Sequence, residues 1–322
     1  MNKLIQRAAV VIALFLVSCQ SNKKDAPVVG FVDAFEDATI AQARTGFTDA
    51  LKKSGYSEDK HTVVIKYRNA QGSIPTLTQI VSQFIAEKVD LLATCTTVST
   101  VAAAQKTKTI PICMMVSPTP ERAQLTDVNG KAPANLFGTM EDLAYIDTSF
   151  AIIPKILKPH GSKLIVGMIY NQSEPQSVDA MKRIQSLAQK SNIELVALPV
   201  DFSSEAQLVT KTLLGKNIDA FFANPDNTVF AAFETILKSC NEKNVPVFTS
   251  EAGLVQRGAV AAFGADMYQW GYQSGLQAAA YLKNKSMKGL KPEMVKVRKR
   301  VYNPEVAKRY HLTIPSDFQP VK

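Results

Sequence analysis

Two stretches of this chain share one layout, and that layout admits few folds. Ile85-Ala-Glu-Lys-Val-Asp90-Leu-Leu-Ala-Thr-Cys-Thr-Thr97 is followed by a helical pattern and then Thr109-Ile-Pro-Ile. Leu214-Gly-Lys-Asn-Ile-Asp219-Ala-Phe-Phe-Ala-Asn224-Pro-Asp-Asn-Thr228 is followed by a helical pattern and then Asn244-Val-Pro-Val. In each, Val-Asp or Ile-Asp introduces a buried strand, a polar loop leads into a helix, and an apolar-Pro-apolar strand comes next. Asp90 to Pro111 spans 21 residues and Asp219 to Pro246 spans 27, so the halves share a plan rather than a strict repeat.

The rest of the chain alternates in the same way. Short runs rich in Val and Ile predict strands at Val28–Asp33, Thr62–Tyr67, Leu91–Cys95, Pro111–Val116 and Leu136–Thr139. A second set is expected at Leu164–Tyr170, Glu194–Val200, Ala220–Ala223, Val247–Thr249 and Val260–Phe263. Helices are expected at Ile40–Lys53, Leu77–Glu87, Val98–Lys106, Glu174–Gln189, Ala206–Leu214 and Val229–Glu242. In Ala43-Gly46-Phe47-Ala50-Leu51-Ser54 the small and apolar residues recur at three and four, as one buried helix face requires. Strands alternating with helices of this length form βαβ units and parallel sheets. The expected fold is therefore α/β, with two similar lobes, each a parallel sheet flanked by helices. Residues 28–139 would form an N-lobe and 140–264 a C-lobe, with breaks near Thr139–Asp142 and Gly264–Asp266. Residues 265–322 would then supply a crossover helix returning to the N-lobe and a basic C-terminal segment.

The first residues read as an address. Lys3 and Arg7 precede an apolar run from Ala8 to Val17, which ends on Leu16-Val17-Ser18-Cys19. A membrane span needs about 20 apolar residues; this run has the length of a signal-peptide core. Its end resembles the bacterial lipoprotein signal, which implies a signal peptide over 1–18, cleavage before Cys19 and lipid on the Cys19 thiol. An ordinary secretory signal with a chance cysteine, or a buried helix, is the alternative. Residues 19–27 read as a polar, flexible tether. The expected location is the cell envelope, anchored to the membrane by lipid at Cys19 and facing the periplasm or the exterior.

Charge and composition narrow the function. The net charge is +9, but the signal carries two of those charges and residues 283–322 carry a net +8, so the body is close to neutral. A basic tail can touch anionic lipid or a partner, or it is a solvated face. No nucleic-acid motif accompanies it, and no nucleic-acid partner is expected. Beyond Cys19, the cysteines Cys95, Cys113 and Cys240 are widely spaced and odd in number, which is no disulfide framework. His61, His160 and His311 stand apart without a second ligand type, so neither a metal site nor a cofactor is expected. The chain carries no G-x-S-x-G, H-E-x-x-H or Walker loop.

Ligands of open α/β sheets bind beyond the carboxyl ends of the strands. The residues following each N-lobe strand include Asp33, Phe35, Gln71, Thr96, Thr97, Ser99 and Ser117. The C-lobe offers Asn171, Glu174, Ser177, Asp201, Phe202, Asn224, Asp226, Asn227 and Glu251. Hydroxyls fall mostly on one side, carboxylates and amides mostly on the other. Thr96-Thr97-Val98-Ser99 precedes a helix whose N-terminal N–H groups suit a carboxylate, although Thr97 or Ser99 is also expected to cap that helix. Asp226 suits a ligand ammonium or is the N-cap of its own helix. Ser173-Glu174-Pro175-Gln176 is a capping-box pattern that accounts for Ser173 and Gln176. Phe35, Tyr170, Phe202, Tyr268 and Trp270 are rings that either stack on a flat ligand or pack in the core.

An ordered set of short motifs is similar to one known family. Asn69-Ala-Gln-Gly72, Ile110-Pro-Ile-Cys113, Tyr170-Asn-Gln-Ser-Glu174-Pro-Gln-Ser177, Pro225-Asp-Asn-Thr-Val229 and Val245-Pro-Val-Phe-Thr-Ser-Glu251 belong to it. Gly264-Ala-Asp-Met-Tyr268 with Gly271, and Asn303-Pro-Glu-Val-Ala307 with Ile314-Pro315, complete it. The chain resembles the substrate-binding proteins of bacterial ABC importers, in particular the subfamily whose known ligands include the aromatic amino acids tryptophan and tyrosine. The resemblance implies a two-lobed periplasmic-binding-protein fold of type I with a ligand cleft between the lobes. It also implies an ABC permease with a cytoplasmic ATPase as partners, no enzymatic activity, and a monomer. One departure falls near the ligand position: where the family usually shows aspartate then proline, this chain has Ser117-Pro-Thr-Pro120. Hinge closure around an amino acid is the leading expectation. A lipoprotein that reports its ligand to a membrane signalling partner is the alternative, and an acid–base role for Glu174, Asp226 and Glu251 is a third.

Overall fold

A computed structural model describes residues 26–321; the expected signal peptide, Cys19 and most of the tether lie outside them. The N-lobe sheet contains β1 (Val28–Asp33), β2 (Val64–Asn69), β3 (Leu91–Cys95), β4 (Ile112–Met115), β5 (Leu136–Met140) and, late in the chain, β11 (Pro292–Met294). Its order is β11-β5-β4-β3-β1-β2, and every pairing is parallel. The register sets Asp33 beside both Asn69 and Cys95, so the carboxyl ends of these strands lie together. Helices α1 (Ala38–Lys53), α2 (Ile74–Ala86) and α3 (Thr97–Lys106) connect the strands, as parallel pairing demands.

The C-lobe sheet has the order β7-β6-β8-β9, again all parallel, from β6 (Ile165–Asn171), β7 (Glu194–Val200), β8 (Ala220–Ala223) and β9 (Val247–Thr249). Around it lie α4 (Tyr145–Ala151), α5 (Ile153–Ile156), α6 (Pro175–Lys190), α7 (Ala206–Leu214), α8 (Asn227–Ala231), α9 (Phe233–Glu242) and α10 (Ala252–Gln256). The expected helix Val229–Glu242 is two helices, parted at Ala232 (φ −104°, ψ 9°). No Gly or Pro marks the break, so the apolar period runs through it unseen. A third sheet joins β10 (Ala261–Ala265) antiparallel to β12 (Arg298–Tyr302) and β12 parallel to β13 (Gln319–Pro320), with α12 (Pro304–Arg309) between the last two.

The chain passes between lobes at 141–144, at Asp266 and at 295–297, the last a crossing that the strand and helix pattern does not announce. Arg298 clamps two of these passages, donating to Glu141 through Nη2 at 2.6 Å and Nε at 2.9 Å. After the second passage α11 (Met267–Asn284) returns to lie along α1. Their backbones approach so closely that a Cβ on Gly271 would sit 1.8 Å from the Ala43 carbonyl oxygen, and one on Gly46 2.0 Å from that of Tyr268. Ala43, Gly46, Phe47, Ala50 and Leu51 form the buried face of α1 that this packing uses. One buried apolar cluster runs from Phe31 and Phe47 in the N-lobe to Phe221 and Phe233 in the C-lobe, and the lobes are closed on one another by Thr97–Gln176, Arg122–Asp179 and Arg257–Asp37 contacts.

Candidate functional site

The N-lobe wall is built from strand ends in unusual backbone states. Thr96, directly after β3, has φ 78° and ψ 163°, and Val116, directly after β4, has φ 51°. β-Branched residues avoid positive φ, and the Thr96 region is essentially reserved for glycine, at a cost of order 1–3 kcal/mol. Such strain collects at ligand clamps and catalytic sites, where surrounding structure holds it in place.

The expectation that Thr97 or Ser99 caps α3 is not met. The N-cap is Thr96, in its strained backbone state and without a side-chain cap bond. Thr97 Oγ1 instead donates across the cleft to Gln176 Oε1 at 2.5 Å. Among the described residues, Thr96 Oγ1, Ser99 Oγ and Ser117 Oγ are buried without a hydrogen-bond partner. Each such orphan costs about 1–3 kcal/mol.

The opposite wall carries acid. Asp226 N-caps α8, accepting from Val229 N at 3.0 Å on one oxygen and from Asn171 N at 2.7 Å and the Ser177 hydroxyl on the other. The capping box expected from Ser173 and Gln176 does not form. Glu174 takes the N-cap position, one residue later than the pattern places it, and Pro175 starts the helix. The third helical residue is then Ser177, which serves Asp226, and Gln176 is released to meet Thr97. Glu174 is buried and accepts from Asn227 Nδ2 at 2.7 Å. Glu251 accepts from the Tyr145 hydroxyl at 2.9 Å through Oε1, while its buried Oε2 has no partner.

These three carboxyls share one small inner cavity with Gln176, Tyr145 and Trp270, and no Lys or Arg lines it. Burial pushes Glu174 up to about 8, the neighbouring Asp226 charge adding to the rise. Burial raises Asp226 too, against its hydrogen bonds from Ser177 and the backbone. Glu251 rises to about 8 for the same first reason, with Glu141 contributing. Desolvation disfavours the charged carboxylate, and a cation brought close restores it. Buried acid thus faces this cavity from the C-lobe, and Val116 is the N-lobe strand-end residue that lines it.

A larger outer cleft of ≈ 920 Å³ opens beyond Glu174, lined by Phe35, Gln71 and Val98 from the N-lobe and Asn171, Asp201 and Phe202 from the C-lobe. Asn171 donates to Thr228 Oγ1 at 2.9 Å and holds α8 to β6. Asn224 is fully buried and donates to Ser177 Oγ at 3.0 Å, lining neither cavity. Thr96, Thr97, Ser99 and Ser117 also line neither, and nor does Asp33, contrary to the strand-end expectation. It shares a strand face with Phe31 and Val29 against α1, and its carboxylate lies 3.5 Å from Arg44, which stacks on the Tyr67 ring. Burial lifts Asp33 to about 6, opposed by Cys95 and Arg44.

Among the candidate rings, Tyr170 packs in the C-lobe core and Tyr268 donates to Asp49 away from the cleft. Trp270 lines the inner cavity, its Nε1 donating to Thr139 O at 2.9 Å. Tyr145 and Phe230 line it as well, and sequence reasoning did not single them out. Tyr145 opens the helix that follows the first crossing, a position detectable only once the crossing is located.

The family model for ABC transporter substrate binding protein matches residues 28–319. The chain belongs to this family. Its members bind substrates and are not enzymes. A tyrosine-binding protein of Clostridioides difficile is 33% identical over 268 residues, which is 83% of this chain and 76% of that one. A conserved domain protein from Vibrio cholerae is 29% identical, with TM-score 0.81 over 93% of this chain and all of its own. An ABC domain from Streptococcus pneumoniae in complex with L-Trp has the same TM-score at 21% identity, covering 92% of this chain and 100% of that one. A substrate binding protein with adhesive properties from Clostridium difficile, in its ligand-free open form, gives TM-score 0.66 at 27% identity, over 92% and 99%. The fold is thus the two-lobed, type I architecture of periplasmic binding proteins. No helix among the described residues is long and apolar enough to cross a membrane.

Proposed function

We propose that this substrate-binding protein captures an amino acid with an aromatic side chain, closes its lobes over it and delivers it to an ABC importer. Lipid on Cys19 would hold it beside the permease, outside the cytoplasmic membrane. The observation that carries the reading is the polarity of the cleft. The N-terminus of α3, with Thr96, Thr97, Ser99 and Ser117, would present neutral donors to a carboxylate once the lobes part, since these residues line neither cavity while the lobes are together. Glu174 and Asp226, with Asn227 beside them, form an anionic wall that suits an ammonium. A zwitterion satisfies both walls at once only when the lobes are together, and that differential contact is what drives closure.

The relatives support the ligand class: one is a tyrosine-binding protein, another was solved with L-Trp. Trp270, Tyr145 and Phe230 at the inner cavity suit a ring. With an inner cavity of only ≈ 20 Å³, closure on a ligand must stop short of the present form.

Thermal unfolding of the purified protein against amino acids, small carboxylates, nucleosides and sugars tests this reading. A ligand at 100 times its dissociation constant adds about 2.7 kcal/mol. A clear rise in midpoint with L-tyrosine or L-tryptophan is expected. A rise with sugars or nucleosides alone would refute it. Radiolabelled palmitate incorporation, lost on Cys19→Ala, tests the anchor.

A further inference from the structure

The inner site holds more acid than one ammonium requires, and its two ends differ. Glu174 lines both the inner cavity and the outer cleft, so it stands on the entrance side. Glu251 lines only the inner cavity and lies at the hinge end. Its hydrogen-bond partner Tyr145 begins the helix after the first crossing, and Trp270 and Met267 beside it begin the helix after the second. The α-amino and α-carboxylate groups of a ligand held by Glu174 and the α3 terminus therefore sit outward. Its side chain points toward the hinge, among Tyr145, Phe230, Met267 and Trp270.

At that end two buried polar atoms have no hydrogen-bond partner among the described residues, Glu251 Oε2 and the Oγ of the adjacent Ser250. Glu251 is 1% exposed, one carboxyl oxygen already takes the Tyr145 hydroxyl, and Oε2 is buried without a partner. A buried acceptor of this kind discriminates strongly, because a ligand lacking the matching donor leaves it unpaired. Resting on the amino-acid reading above, we propose that Glu251 is a specificity-determining residue. It selects side chains that carry a neutral ring N–H or O–H donor, an indole or a phenol, over a bare hydrocarbon ring.

Titration calorimetry of the purified protein with L-tyrosine, L-tryptophan, L-phenylalanine and L-lysine decides the matter. The expected result is that tyrosine or tryptophan binds at least about 100-fold more tightly than phenylalanine. Glu251→Met, which removes the acceptor at similar volume, should shrink that ratio below about tenfold while phenylalanine affinity holds or rises. Glu251→Gln keeps a single oxygen, which Tyr145 already occupies, and should weaken the preference as well. Phenylalanine bound as tightly as tyrosine and tryptophan by the unaltered protein would overturn the assignment while leaving the amino-acid reading intact. A tightest ligand of lysine, or a ratio unmoved by Glu251→Met, would do the same. Binding of no amino acid at all would overturn both. The unaltered protein's own ratio is decisive even if a variant fails to fold.

Discussion

Arg257 Nη1 lies 2.6 Å from Asp37 Oδ2 and 2.9 Å from Thr39 Oγ1, tying the end of α10 in the C-lobe to the start of α1 in the N-lobe. Asp37 is buried and N-caps α1 with its other oxygen. Arg257 is held in place by Glu234 and by the Phe233 ring. The contact exists only while the lobes are together. Removing one partner of a buried pair costs about 3–5 kcal/mol, because the other charge is left stranded. Arg257→Ala should therefore weaken ligand binding at least about tenfold, with far-ultraviolet circular dichroism unchanged. Calorimetric titration checks it; an unchanged dissociation constant would show that this pair plays no part in closure.

Thr96 combines strain with an unpaired hydroxyl, and the two can be separated. Thr96→Gly relieves a backbone state worth about 1–3 kcal/mol, so the unfolding midpoint without ligand should rise. The same change removes a donor from the N-lobe wall, and affinity should fall. A variant that is both less stable and equally tight in binding would contradict this account of the strand end.

Closure moves Glu174 and Glu251 from water into the interior, raising each carboxyl from its ordinary 4.5 to about 8. A group with the higher pKa in the closed form holds its proton more tightly there. The ligand-free closed form is therefore favoured fully below the ordinary carboxyl value, and that advantage is lost as pH rises toward 8. Small-angle scattering of the ligand-free protein should give a smaller radius of gyration near about pH 5 than above about pH 8. Glu174→Gln with Glu251→Gln should shrink the difference, the remainder coming from Asp226, which burial also raises. Equal radii in the unaltered protein would argue against closure coupled to protonation.

The α1–α11 contact sets the stability of the N-lobe. Gly271→Ala places a Cβ 1.8 Å from a main-chain oxygen that cannot rotate away. Overpacking of this sort costs about 1–3 kcal/mol or more, and differential scanning calorimetry should record a midpoint several degrees lower. No change would mean that the two helices separate without cost.

Much of the architecture was legible because parallel βαβ units write their period plainly: β1, β3, β7, β8 and β9 fall on the expected residues. The short strands β11 and β13 carry too few residues to show any period, and they arise from crossings that only tertiary structure defines. At the site, the strand-end rule leads to Asn227 and Glu251, which line the inner cavity, without distinguishing them from Thr96, Ser117 and Asp33, which do not. Periodicity reports which residues are buried, not which lobe they face. For that reason Gln176, Tyr145, Phe230 and Arg257 escaped notice: each is an ordinary helix-terminal or core residue until the lobes are brought together. The positive φ of Thr96 and Val116 has no signature in residue type at all.

The account stands or falls on whether the cleft binds a zwitterion through Glu174. Calorimetric titration of L-tyrosine and L-tryptophan into the purified protein and its Glu174→Gln variant measures this directly. One ligand per chain is expected, with affinity at least about 100-fold weaker in the variant, a loss of about 2.7 kcal/mol. Absence of binding by the unaltered protein, or equal affinity in the variant, would contradict it.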